Sequence, residues 1–104
     1  MIVAVDLPLN NYALLLNSPN QTFIPNVGGS AGNLCVGPDL GRHSKQLQYT
    51  GGTSMASVRV DLTALPRPDG GPYTVLPGDA WNFQVWYRDG PETNFTDALT
   101  ITFE

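Results

Sequence analysis

LPGDAWNFQVWYRD, residues 76–89, decides the fold. A Pro-Gly-Asp turn leads into a run in which Trp81, Phe83, Val85 and Tyr87 fall on one parity and Asn82, Gln84, Trp86 and Arg88 on the other. Successive side chains of a strand point to opposite faces, so this period of two predicts a β-strand with an apolar side in the core and a polar side in water. The segment is also the most aromatic of the chain. The core is therefore expected to be built against it, with any ligand surface on its back.

Working outward, residues 54–62 alternate in the same way, Ala56, Val58, Val60 and Leu62 against Ser57, Arg59 and Asp61, and predict a half-buried antiparallel strand. Residues 95–103 predict a third, with Phe95, Leu99, Ile101 and Phe103 on one parity and Thr96, Ala98, Thr100 and Thr102 on the other. YALLLN at 12–17 is apolar almost throughout. Its turn-forming flanks, Asn10-Asn11 and Ser18-Pro19-Asn20, and its shortness favour a buried strand over a helix. Shorter extended pieces are expected at 2–5, 23–24, 33–36 and 46–49. Pro66, Pro68, Pro72 and Pro77 exclude a central strand from 64–77, with Asp69-Gly70-Gly71 as a turn and 73–76 able to pair only along an edge. Helical spacing is absent. The expected fold is all-β, an antiparallel β-sandwich of jelly-roll or immunoglobulin-like type, with the three long strands at its centre.

A chain of 104 residues supports one core, so residues 1–104 are read as a single domain. Only 13% of residues are charged, and turn formers are abundant, a composition that suits an extracellular β-rich domain. The net charge of −4, with five scattered Lys and Arg, argues against nucleic acid and acidic membrane surfaces as partners. No apolar run approaches a membrane span, so no membrane insertion is expected. Cys35 is alone and is expected to be a small buried apolar side chain. Met1 leads straight into IVAV and Asp6 without a basic n-region, so the signal of an exported protein is expected upstream on a longer parent chain.

The set GNLCVG at 32–37, Gly41-Arg42, VDLTALPRP at 60–68, PGDAWNFQVWYRD at 77–89 and NFTDALTITF at 94–103 resembles a domain that recurs at the C-terminal end of large secreted proteins of planctomycete-like and myxobacterial bacteria. The resemblance covers most of the chain from about Tyr12 onward. It implies a non-catalytic accessory module, export, a secreted or extracellular location and a terminal position on a longer chain. The family often has a longer N-terminal approach, which implies a shortened first edge strand here.

His43 is the sole histidine, with Ser44 beside it, but no nucleophile-elbow sequence accompanies it, and a lone loop histidine is expected at the surface. VGGSAG at 27–32 lacks the Lys-Ser/Thr and the helix of a phosphate loop. No catalytic residue, metal ligand or cofactor is assigned. Asp89, Glu92, Asn94 and Asp97 gather oxygen donors on one loop, but their spacing departs from calcium-loop patterns, and turn and capping roles explain them. The N-x-T sites at Asn20 and Asn94 matter only in a eukaryotic secretory host.

The strongest candidate site is the back of the 80–89 strand, where Asn82, Gln84, Trp86 and Arg88 are expected to stand in a row ~7 Å apart. Arg59 and Asp61 extend it if the 54–62 strand lies alongside. A flat indole among amides and a guanidinium suits a sugar. Polysaccharide, or another domain of the parent chain, is the expected partner. A structural cap or protein-interaction module is the alternative. Two arrangements would close the site: cover of Trp86 by the 64–77 loop, or a bulge near Val85 that turns Trp86 inward.

Overall fold

Ten strands make up the regular structure of the computed structural model, which describes residues 1–69 and 71–104. They are β1 (Ile2–Ala4), β2 (Tyr12–Ser18), β3 (Gln21–Pro25), β4 (Asn33–Val36), β5 (Gly41–Arg42), β6 (Gln48–Tyr49), β7 (Ala56–Val58), β8 (Ala80–Asp89), β9 (Glu92–Phe95) and β10 (Leu99–Thr102). Two single 3-10 turns, Val27–Gly29 and Ser44–Gln46, interrupt them. No helix among the described residues is long and apolar enough to cross a membrane. Gly70, in the expected proline-rich turn, lies outside the described residues.

The pairing of these strands is antiparallel throughout, as the alternating patterns predict. Six form one sheet. In it β8 lies between β2 on one side and β10 and β9 on the other, and β5 and β6 pair with the far edge of β2. β1 with β7, and β3 with β4, form two separate ribbons. The sheets are unequal and do not close on one another.

The inner face of the large sheet carries the core. Ala13 and Leu15 of β2 and Trp81, Phe83 and Val85 of β8 pack against Ala4, Leu7, Ala56, Val58 and Leu65 from the β1–β7 ribbon and the loops. Leu65 reaches this core because 64–66 crosses the sheet and bridges to Tyr73 through Leu65 N to Tyr73 O at 2.8 Å and the reverse bond at 2.9 Å. The crossing is so close that a Cβ on Gly41 would stand 2.0 Å from the Pro66 carbonyl oxygen, which only glycine allows.

Three expectations need correction. The centre of the fold is β8 against β2, not three long strands, because an apolar run such as YALLLN is buried on both faces. The 54–62 strand is shortened to β7: the Arg59 backbone is held by the Gln46 side-chain amide, and Leu62 is exposed. The parity of 95–103 is broken by a bulge. Trp86 pairs with Phe95 and Phe83 with Leu99, so three residues, 96–98, oppose two, 84–85. Thr96 fills the bulge, its Oγ1 accepting from Val85 N at 3.0 Å and its N–H donating to Val85 O at 2.9 Å. Phe95 therefore shares a face with Trp86, and Leu99 and Ile101 share the opposite face with Phe83 and Trp81.

Candidate functional site: an apolar groove around Trp86

The back of β8 is not the open row expected. Five consecutive residues, 81–85, are buried, so both faces of that half of the strand are covered. The cover is the β3–β4 hairpin, and Asn82 and Gln84 hold it there. Gln84 Oε1 accepts from Cys35 N at 2.9 Å, while its Nε2 donates to Asn33 O at 2.9 Å and Thr96 O at 2.7 Å. Asn82 Oδ1 accepts from Gln21 Nε2 at 3.1 Å and Thr100 Oγ1 at 2.6 Å, and its Nδ2 donates to Ser18 O at 3.1 Å. At the hairpin tip, Ala31 N and Ser30 Oγ both donate to Thr93 O. Buried amides demand partners, and here every one is supplied by the chain itself. Asn82 and Gln84 are thus fastenings, at 3% and 2% exposure, and are removed from the candidate ligand surface.

Trp86, one step further along β8, escapes the hairpin. It is half-buried and lines a groove of about 430 Å³. Register puts Leu14 opposite it on β2 and Phe95 opposite it on β9, all three on the outer face of the sheet. Leu16 and Arg42, paired with each other, continue that face across β5. Leu34 of the hairpin also borders the groove. Neither closing arrangement occurs. Leu65 and Tyr73 of the 64–77 segment pack on the opposite side, where the Tyr73 ring lies 5.3 Å from Trp81, and the bulge sits on the partner strand, leaving Trp86 facing outward.

The two arginines of the expected site divide. Arg88 is exposed on the Trp86 parity, opposite Thr93, outside the groove. Arg59 follows β7, whose only strand partner among the described residues is β1, so it does not extend the β8 face. The charge on the groove is Arg42, exposed and without a hydrogen bond or ion pair among the described residues. Sequence reasoning missed Leu14, Leu16, Leu34, Arg42 and Phe95. The Gly41-Arg42 pair was visible, but its place depends on a pairing with β2 that no local pattern encodes.

His43 is buried, at 7% exposure, rather than on the surface. Asn17 Nδ2 donates to Pro66 O at 3.1 Å, so Asn17 Oδ1 is an acceptor and His43 Nε2 carries the proton in their 2.6 Å bond. Burial pushes the imidazole down to about 4, so it is neutral at pH 7. Tyr73 Oη donates to Asp79 Oδ2 at 2.8 Å, which lowers the Asp79 carboxyl after the larger effect of Leu76 N–H, and raises the tyrosine. Among the described residues no group of three His, Cys, Asp or Glu is placed to hold a metal ion. In the 89–97 loop Asn94 Oδ1 accepts from Phe95 N at 2.9 Å. Cys35, expected to be a small buried side chain, is half-buried.

Compared with family models, curated proteins and solved structures, the chain matches none of them.

Proposed function

We propose that the domain is a non-catalytic docking module of a secreted bacterial protein, which holds an apolar segment of another polypeptide in the Trp86 groove while Arg42 meets a carboxylate or carbonyl of that segment. The observation that carries this is the composition of the groove: Leu14, Leu16, Leu34, Phe95 and a partly exposed indole line it together with Arg42, whose guanidinium has no partner among the described residues. Apolar walls with a few placed polar groups are the common form of a recognition pocket. Aromatic and arginine anchors are also the residues that dominate protein interfaces. The resemblance supports the secreted, accessory part of the proposal. On the same proposal the β1–β7 ribbon and the large sheet are the two leaves of an incomplete β-sandwich.

Polysaccharide is the second candidate, favoured by the exposed part of the Trp86 indole with Arg88 further along the strand. It is weakened because the amides a sugar would need, Asn82 and Gln84, are spent on the hairpin. The test is Trp fluorescence during titration with short peptides pairing Leu or Phe with Glu, beside retention on insoluble polysaccharides. Trp81 is buried, so a ligand-dependent change reports Trp86. Peptide binding weakened at least about tenfold by Arg42→Ala, with the fold unchanged, is the expected outcome. Retention on polysaccharide lost in Trp86→Ala, with no peptide response, would transfer the site to sugar.

A further inference from the structure

Leu99 is out of place. It lies opposite Phe83 on the inner face of the large sheet, yet Phe83 is 1% exposed and Leu99 49%. It sits on a groove of about 500 Å³ that runs between residues 2–7 and the 96–98 bulge and reaches Leu15, Phe83 and Val85. On the other side of this groove β1 pairs with β7 alone, so its second edge has no strand among the described residues. Val3 and Val5 on that segment are 46% and 57% exposed. A two-stranded ribbon is marginal by itself and gains from a third strand. An unpaired edge beside an exposed leucine on the core face of the sheet is the arrangement that accepts one.

The charged side chains on the groove are Asp6 and Asp97, and neither has a side-chain hydrogen bond or ion pair among the described residues. With the chain at −4, they favour a basic occupant and disfavour a second copy. We infer that the groove between β1 and β10 receives an extended segment of another polypeptide. That segment pairs with the open edge of β1, places apolar side chains at alternate positions over Leu99, Phe83 and Val85, and sets Lys or Arg against Asp6 and Asp97. The inference rests on different observations from the Trp86 groove, with which this groove shares only Phe95 in its lining.

Three short synthetic peptides test it: alternating Val and Thr with Lys at both ends, the same composition with the Val residues in one block, and the alternating core with Glu at both ends. Binding is followed by anisotropy and by amide shifts. The Lys-ended alternating peptide is expected to bind, shifting the amides of residues 2–7 and Leu99. Leu99→Lys should weaken it at least about tenfold without moving the thermal midpoint, whereas Leu47→Lys, at an equally exposed leucine elsewhere, should not weaken it. Asp97→Lys should transfer the preference to the Glu-ended peptide, which keeps the test decisive even if Leu99→Lys unfolds. Equal binding of the block peptide, no charge reversal in Asp97→Lys, or self-association of the free protein through this groove would overturn the inference.

Discussion

His43 and Gly41 lie two residues apart and show how a single position can be constrained without taking part in binding. His43 has a folded-state pKa of about 4, below the usual 6.5, because burial penalises its charge. Between those values the unfolded chain binds a proton that the folded chain excludes, so stability is complete above about pH 7 and falls as pH drops from 6.5 toward 4. The loss is bounded at roughly 3 kcal/mol. Urea midpoints measured across this range should decline in the wild type and lose most of that slope in His43→Gln; parallel slopes in the two proteins would refute the assignment. Gly41 is constrained by space. Its Cβ direction is filled by the backbone of Pro66, which cannot yield as a flexible side chain would. Gly41→Ala is expected to cost about 2–3 kcal/mol, read as a shifted urea midpoint at unchanged m-value.

At the scale of elements, the hairpin formed by β3 and β4 buries Val36 and is fastened to β8 by amides of that strand. Phe23 and Ile24 of β3 are exposed, while Gln84 alone makes three bonds to Cys35, Asn33 and Thr96. Gln84→Ala leaves those backbone groups without their partner and should cost about 2–4 kcal/mol. Hydrogen exchange should show the Cys35 amide losing protection before the amides of β2. The same dependence explains what was legible. The strand at 80–89 and its inner face could be read because alternation is local, and the antiparallel all-β class followed from several such runs. The destination of Asn82 and Gln84 could not, since an amide alternating with aromatics looks alike whether it faces water or a hairpin seated on it. The bulge escaped for a related reason: Thr96, Asp97 and Ala98 continue the polar and small pattern, and only pairing with Gln84 and Val85 reveals the extra residue that puts Phe95 on the groove.

For the whole molecule, β8 is the shared wall of two unlike layers. Its inner face is joined to the β1–β7 ribbon by apolar packing around Phe83, and its outer face to the hairpin by amides. These layers should fail differently. Phe83 is 1% exposed at the centre of the core, and Phe83→Ala opens a cavity that neighbours from several elements cannot collapse to fill, at a cost of about 3–5 kcal/mol. That loss falls on the cooperative unit, so exchange protection in β2, β8 and β10 should decrease together, and fluorescence and circular dichroism should report one transition. Gln84→Ala acts on one layer, so its signature is a hairpin that opens at lower free energy than the sheet beneath it. A Phe83→Ala protein whose hairpin alone loses protection, or a Gln84→Ala protein in which every strand weakens equally, would show that the two faces of β8 are energetically one core. In that case the Trp86 groove would open and close with global unfolding and not with movement of the hairpin that borders it.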